Sequence, residues 1–171
     1  MYAAHNLLMI EKLVLSLLGI LAIPTVGLSS IFVISFISAT LLPMGSEPAV
    51  FAVVKANAAL FWPAILVATV GNTLGGAVDY WMGYSAKNIF SKQRESRWFS
   101  WLQRFGAKTL LFSWLPAVGD FMCALAGWLK IPFWPSVAYM AIGKGLRYLI
   151  ITSLLLFVPD GMWHQLADWL S

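Results

Sequence analysis

The stretch "LLPMGSEPAV", residues 41–50, places a carboxylate on interrupted backbone inside an apolar chain. Glu47 is the first charge after a run that carries none from Leu13 to Ser46, and it follows Pro43 and Gly45. Proline removes a backbone donor and breaks a helix, while glycine permits backbone conformations that other residues avoid. We therefore expect a helix break here, with an acid beside it.

The composition indicates an all-α integral membrane protein. The 171 residues are 60% hydrophobic and 11% charged, whereas soluble domains are about 45–50% apolar and about 25% charged. The composition therefore strongly disfavours a soluble function. Cys123 is the one cysteine, so no internal disulfide forms, and His5 and His164 lie at opposite ends of the chain. No metal site and no cofactor are expected.

Two stretches are long and apolar enough to span a bilayer, which takes about 20 residues. They run from Phe61 to about Tyr84 and from Pro132 to about Val158. A third apolar stretch, residues 7–23, carries two early charges and ends at "PTVG", residues 24–27. It fits either a short span or an interfacial helix, and it lacks the basic start and cleavage site of a signal peptide.

Two other apolar regions are interrupted in their middle. Residues 28–60 contain the stretch quoted above, and residues 106–130 contain Pro116, Gly119 and Asp120. Broken backbone at membrane depth occurs only where protein or a watery cavity surrounds it. Each region is therefore interpreted as a re-entrant helical hairpin with its tip at the proline and acid. The alternative is an ordinary span kinked by proline.

The chain also resembles itself. "LLPMGSE" (41–47) aligns with "WLPAVGD" (114–120), pairing Glu47 with Asp120 at an offset of 73. "WPAILVATVGNTLGG" (62–76) aligns with "WPSVAYMAIGKGLRY" (134–148) at an offset of 72. Each unit, one hairpin and one span, crosses the membrane once, so the second unit is expected to be inverted. Inverted repeats with discontinuous helices and a midplane site are typical of secondary transporters.

The predicted organisation has three parts. An N-terminal hydrophobic extension precedes one membrane domain, which is followed by a C-terminal surface segment. The extension covers residues 1–27, the domain covers 28–158 and the surface segment covers 159–171. Within the domain, repeat 1 covers 28–84, the basic linker covers 85–108 and repeat 2 covers 106–158.

The linker concentrates positive charge. It holds six Lys and Arg residues and one Glu, a sum of +5, while the whole chain carries +4. Lysine and arginine mark the cytoplasmic side, so the first hairpin is expected to enter from the outer face and the second from the cytoplasm. The apolar spacing of Trp98, Trp101, Leu102 and Phe105 indicates an interfacial amphipathic helix. Nucleic-acid binding is not expected, because the orientation rule already explains the charge.

Lys144 and Arg147 fall near the centre of the second span and share a helix face. Charges at this depth usually face a cavity and pair, and Glu47 and Asp120 are the available acids. Asn72 occupies the repeat position of Lys144. These five residues form the predicted site.

Two interpretations of the site remain open. The charges are either salt bridges that fasten hairpins to helices, or a site where Lys144 and Arg147 bind an anionic headgroup. In the second case Glu47 or Asp120 carries a coupling proton. Asp79 lies further along the first span.

The motifs "SATLLPMGSE", "GNTLGGAVDYWMGY", "FGAKTLLFSWLPAVGDFMCALAGW" and "GKGLRY" closely resemble the YqaA-like branch of the DedA (SNARE-associated, VTT-domain) family. The resemblance covers about residues 28–155. It implies an inner-membrane protein with two facing re-entrant hairpins. It also implies lipid movement across the bilayer, either of a polyprenyl-phosphate carrier or of phospholipids, linked to the proton motive force. Among the family's functional residues, the acid after the first hairpin's proline corresponds to Glu47.

The chain departs from the family pattern at four positions. Typical members carry arginines where this chain has Ser113 and Gly119, and an Asp and an Arg where it has Gly76 and Tyr84. Either Lys144 and Arg147 supply the missing positive charge, or this branch handles a different substrate.

Three functions compete. The sequence favours a transporter, flippase or scramblase whose partners are membrane lipids, with a lipid phosphate and a proton as its further ligands. A non-transporting scaffold for envelope homeostasis is the alternative. An intramembrane enzyme is disfavoured because Ser46 has no histidine at membrane depth. The substrate, the coupling ion and the oligomeric state are left open.

Overall fold

The computed structural model of the chain describes residues 22–40, 45–86, 104–115 and 118–157, with Ser16, Gly19 and Ile20. These residues are helical and form no strand, which confirms the all-α prediction. The helices are α1 (Pro24–Thr40), α2 (Glu47–Ala56), α3 (Phe61–Ser85), α4 (Val118–Trp128) and α5 (Phe133–Phe157), with 3₁₀ helices at Ala58–Leu60 and Gly106–Trp114.

Several predictions fall outside these residues. The tip prolines Pro43 and Pro116 lie there, as do most of the predicted amphipathic linker helix, the N-terminal stretch up to Leu15 and the C-terminal segment 159–171.

The two predicted spans are present as α3 and α5. Each has 25 residues, a length of about 37 Å against a hydrocarbon core of about 30 Å. Both are long and apolar enough to cross a membrane, with a mean hydropathy of 1.5. Both α3 and α5 begin with the sequence "FWP", so each carries a proline in its first turn. The N–H that proline lacks has no hydrogen-bond partner within the helix at this position, so the helix loses no hydrogen bond.

The structure carries the internal repeat residue by residue. α3 and α5 start 72 positions apart, at Phe61 and Phe133, and also end 72 positions apart. Gly71 and Gly143, equivalent in the repeat, make equivalent contacts. A Cβ on Gly71 would lie 2.7 Å from the carbonyl oxygen of Phe32, and one on Gly143 would lie 2.6 Å from that of Leu111. Each glycine therefore lets the first arm of its own hairpin approach the long helix.

α3 and α5 cross in opposite directions. The ring of Tyr80 packs on that of Phe133, 5.3 Å between centroids, at one end of the crossing. Asn72, eight residues before Tyr80 in α3, contacts Lys144 and Tyr148, which come after Phe133 in α5. The two helices therefore run antiparallel. Asn72 and Lys144 are also repeat equivalents, so the approximate two-fold axis that relates the two helices passes between them. This is the arrangement that an inverted repeat requires.

The shorter helices, which correspond to the arms of the predicted hairpins, are shared between the two units in the same symmetric way. α1 packs along α3 of its own unit, and the Gly106–Trp114 helix packs along α5 of its own unit. The second arms cross over: α2 packs on α5, and α4 packs on α3. The two apolar clusters follow this exchange, because Val50 of α2 packs with Tyr148 of α5, and Met122 of α4 packs with Tyr80 of α3.

Two details differ from expectation. α1 begins at Pro24, four residues before the predicted start of the domain, because proline fits the first turn of a helix. The first arm of the second unit is a 3₁₀ helix of nine residues. A 3₁₀ helix rises about 2.0 Å per residue, so this arm reaches about 18 Å along α5, further than an α-helix of equal length.

Candidate functional site

The crossing of α3 and α5 holds a fully buried ammonium group. Lys144 is 0% exposed. Its Nζ lies 3.1 Å from Oδ1 of Asp120 and donates a 2.8 Å hydrogen bond to the backbone oxygen of Asn72. A Cβ on Gly76 would lie 3.0 Å from this Nζ, so the absence of a side chain at Gly76 leaves space for the amine.

A second ion pair joins α5 to the first hairpin. Nε of Arg147 lies 2.8 Å from Oε1 of Glu47, and the two side chains are 7% and 12% exposed. The atoms are close enough for an ion pair but are not aligned as a hydrogen bond. The guanidinium carbon also lies 5.4 Å from the ring centre of Tyr148. Glu47 therefore neutralises Arg147 without engaging the guanidinium in the bidentate geometry that carboxylates and phosphates favour.

The hydroxyl of Tyr148 links the two ion pairs. It accepts a 3.0 Å hydrogen bond from Nδ2 of Asn72 and shares a short hydrogen bond with Oγ of Ser46, the residue before Glu47. Ser35 of α1 donates to the same Ser46 oxygen at 3.2 Å. This buried hydroxyl network, Ser35–Ser46–Tyr148–Asn72, connects the first hairpin to both long helices.

Asn72 is the junction between the network and Lys144. Its backbone oxygen holds the ammonium, and its side-chain nitrogen donates to Tyr148 and, at 3.4 Å, to the backbone oxygen of Ser35. Its Oδ1 is buried and has no hydrogen-bond partner among the described residues. A buried polar atom is usually satisfied, so this oxygen is an exception within the cluster.

Asp79 adds an acid that the predicted site did not include. It lies on α3 one turn beyond Gly76, within electrostatic range of Asp120 and Lys144. Its Oδ2 is buried and has no hydrogen-bond partner in the described parts of the chain. A charged residue within a membrane span often marks a functional site. Asp79 could therefore have been included in the predicted site from the sequence alone. The cluster thus holds three acids and two bases, a sum of −1 if all are ionised.

The fold brings all five predicted site residues together, at two neighbouring points on α5. Lys144 meets the first turn of α4 at Asp120, and Arg147 meets the start of α2 at Glu47. Asp120 follows Gly119, one of the positions where the DedA pattern has an arginine. The ammonium of Lys144 brings positive charge from α5 to this turn of α4. Within the described residues, no three metal-ligating side chains lie together.

Comparisons with known proteins find one matching domain and several relatives. The VTT domain profile matches residues 42–156. The inner membrane protein YqaA of Escherichia coli strain K12 is 40% identical over 144 residues, 81% of this chain and 96% of its own length, and the Shigella flexneri protein of the same name gives the same figures. An uncharacterized protein of Haemophilus influenzae is 37% identical over 136 residues, covering 75% of this chain and 87% of its own length. No solved structure matches.

The profile spans α2 to α5 and therefore includes Glu47, Asn72, Asp120, Lys144 and Arg147. The names of the relatives support a location in the bacterial inner membrane. With a matching domain profile and relatives that align over most of both chains, this protein belongs to the VTT-domain (DedA) family.

Proposed function

We propose that the protein is a membrane transporter, a flippase or scramblase, for a lipid with an anionic headgroup. Its substrate is a phospholipid or a polyprenyl-phosphate carrier. The observation that carries the proposal is the pair of buried cations on one helix, each neutralised by an acid from a different hairpin. A lipid phosphate is the natural competitor for both cations, because it presents the same charge and more acceptor oxygens than a carboxylate.

The membrane topology belongs to the same proposal. α2 and α4 have 10 and 11 residues, about 15 and about 16 Å, and a hydrocarbon core is about 30 Å thick. Neither arm is long enough to cross. We infer that they are the arms of re-entrant hairpins entering from opposite faces, so that Glu47 and Asp120 lie near the midplane of a multi-pass protein. Buried polar groups at this depth are tolerated when the surrounding protein satisfies them.

The ion pairs supply a mechanism. Each hairpin forms one carboxylate ion pair with α5, in addition to its packing contacts, so a phosphate that binds Lys144 displaces Asp120, and one that binds Arg147 displaces Glu47. Loss of a pair loosens the corresponding hairpin while the other remains attached. Opening therefore alternates between the two sides, as transport by an inverted repeat requires.

Charge balance connects this mechanism to protons. Three acids and two bases are neutral together when one carboxyl holds a proton, and an unpaired charge at bilayer depth is costly. Asp79 has a buried oxygen with no described hydrogen-bond partner, which makes it the acid best suited to hold that proton. Proton uptake or release at the cluster then accompanies headgroup exchange. No enzymatic step is part of the proposal.

A flip assay in proteoliposomes tests the function. Glu47→Gln and Arg147→Ala are expected to reduce the movement of a fluorescent anionic lipid at least tenfold, whereas Lys55→Gln, at the exposed end of α2, retains parental activity. Each variant is first checked for parental helix content and a single detergent-solubilised species. If folded E47Q and R147A move lipid like the parent, the site proposal fails.

The alternative is a scaffold that moves no lipid. It is favoured by the same two ion pairs, because they fasten both hairpins to α5. The assay separates the two functions. A parent protein that moves neither anionic nor neutral lipid, although it is correctly folded and inserted, supports the scaffold.

A further inference from the structure

An apolar groove runs along the outer face of α4, away from the ion pairs. It has a volume of about 280 Å³ and lies between α4 and the last turns of α3. Its α4 wall consists of residues at helical spacing, every third or fourth position on one face. The lining residues are Met82, Gly83, Ala86, Phe121, Ala124, Leu125 and Trp128.

The groove follows α4 from its first turn to its end. Phe121, at the inner end, follows the site residue Asp120. Trp128, at the outer end, is seven residues further along α4, about 10 Å away. Ala86, where α3 gives way to the basic linker, lies at the same outer end. The groove therefore leads from the depth of Asp120 to a membrane surface.

A cation marks the surface end. Lys130 is exposed in the turn between α4 and α5, two residues after Trp128. Its Nζ lies 5.1 Å from the ring centre of Tyr84, the neighbour of the groove residue Gly83. Within the described residues it forms no ion pair with a carboxylate. In the membrane topology proposed above, this charge lies near the lipid phosphates.

We propose that this groove binds one anionic phospholipid, with a hydrocarbon chain between α3 and α4 and its phosphate at Lys130. The lining is mostly apolar, so a lipid chain fills it with little desolvation of polar groups. Chain packing alone does not distinguish one lipid from another, and Lys130 supplies the preference for an anionic headgroup. The site rests on the membrane topology proposed above but does not require transport, so a protein that moves no lipid could still have it.

Photolabelling of the full chain in vesicles tests the site. The probes are phosphatidylglycerol and phosphatidylcholine, each with a photoactivatable group on one acyl chain, at equal content in otherwise identical phosphatidylcholine vesicles. We expect labels on Phe121, Leu125 and Met82, with phosphatidylglycerol labelling them about fivefold more. This is the ratio expected from about 1 kcal/mol for one lysine near a membrane surface.

The charge variant is Lys130→Asn. Lys130 has a φ of 57°, a left-handed conformation that asparagine tolerates, so the turn is retained while the charge is lost. Labelling by the two lipids is expected to become equal. The matched control is Lys55→Asn, which removes an exposed lysine at the end of α2, the corresponding arm of the first hairpin, and leaves the fivefold ratio unchanged.

The groove variants are Ala124→Leu and Ala86→Leu, which fill the groove from opposite helices. Both are expected to reduce groove labelling by either lipid at least threefold. Val70→Leu, which enlarges an exposed position on α3 outside the groove, does not. Two filling variants keep the test informative if one of them fails to fold.

Two results would overturn the proposal. Equal groove labelling by both lipids in the parent protein would mean that hydrocarbon fills the groove without headgroup preference. Labels confined to exposed positions such as Leu66 and Val70 would mean that another part of the chain, or a second copy, covers the groove.

Discussion

Each charged residue on α5 is balanced by an acid from a different part of the chain. Arg147 and Glu47 are both nearly buried, and Lys144 is wholly buried while Asp120 keeps 29% of its side chain exposed. Removing one partner from a buried pair leaves an uncompensated charge, which costs more than the pair contributes when intact. The consequences are therefore expected to be largest at Arg147 and Glu47.

Glu47→Gln is expected to destabilise the fold by about 3–5 kcal/mol because it leaves the buried guanidinium of Arg147 unpaired. The measurement is the midpoint of thermal unfolding in detergent. The double variant Glu47→Gln/Arg147→Met removes both charges and is expected to regain most of the loss. If the single variant unfolds at the parental temperature, Arg147 does not depend on Glu47 for its charge balance.

Tyr148→Phe removes the hydroxyl that links Ser46 to Asn72 and leaves both buried groups without that partner. The expected cost is about 1–3 kcal/mol, again seen as a lower unfolding midpoint. Tyr84→Phe, on an exposed tyrosine of α3, serves as the control and is expected to have little effect. An equal effect of the two changes would mean that the network does not stabilise the fold.

Some residues of the site could be predicted from the sequence and others could not. Glu47, Asp120, Lys144 and Arg147 were predictable because charges are rare in apolar segments and need partners. Tyr148 and Ser46 were not, because hydroxyl groups are unremarkable in membrane helices and these two are 102 positions apart. Only the fold, with α2 packed on the opposite unit's helix, brings them together.

At the scale of elements, α3 and α5 complement each other in size. Where α5 carries Lys144, Arg147 and Tyr148, the equivalent positions of α3 carry Asn72, Gly75 and Gly76. Of the two glycines, Gly76 leaves space for the Lys144 amine, and Gly75 leaves space for Ala39 and Phe36 of α1. The two helices were predictable from length and hydropathy, whereas the 3₁₀ form of Gly106–Trp114 was not, because its apolar composition suits several helical forms.

Gly71→Ala and Gly143→Ala are expected to destabilise the protein by similar amounts, about 1–3 kcal/mol each, because each added methyl meets a backbone carbonyl across the interface. Gly145→Ala is the matched control on α5. Its added Cβ would lie 3.5 Å from Thr69, an ordinary contact, and alanine favours helix, so the midpoint stays or rises.

Thermal unfolding of the three glycine variants in one detergent checks this expectation. A large loss for only one of Gly71 and Gly143 would show that the two units are not packed equivalently.

At the scale of the whole molecule, the second arms of the two hairpins are expected to end at opposite membrane faces. Cysteines are placed at Lys55 and Lys130 in a Cys123→Ala background, since Cys123 is buried. By the orientation of the basic linker, a membrane-impermeant thiol reagent should label Lys130→Cys from the cytoplasmic side and Lys55→Cys from the outer side. Labelling of both from one side would contradict the inverted arrangement.

The contact between Asn72 and Lys144 has a consequence for how such a chain can arise from a duplicated half. A residue beside a two-fold axis faces its own counterpart, so two identical copies of the second unit would place one buried lysine ammonium against another. Like charges repel strongly where water is excluded. Two halves that share this axis must therefore differ at this position, and a self-paired ancestor of half the length would have needed a neutral residue there. The asparagine in one half is what allows the other half to keep its lysine.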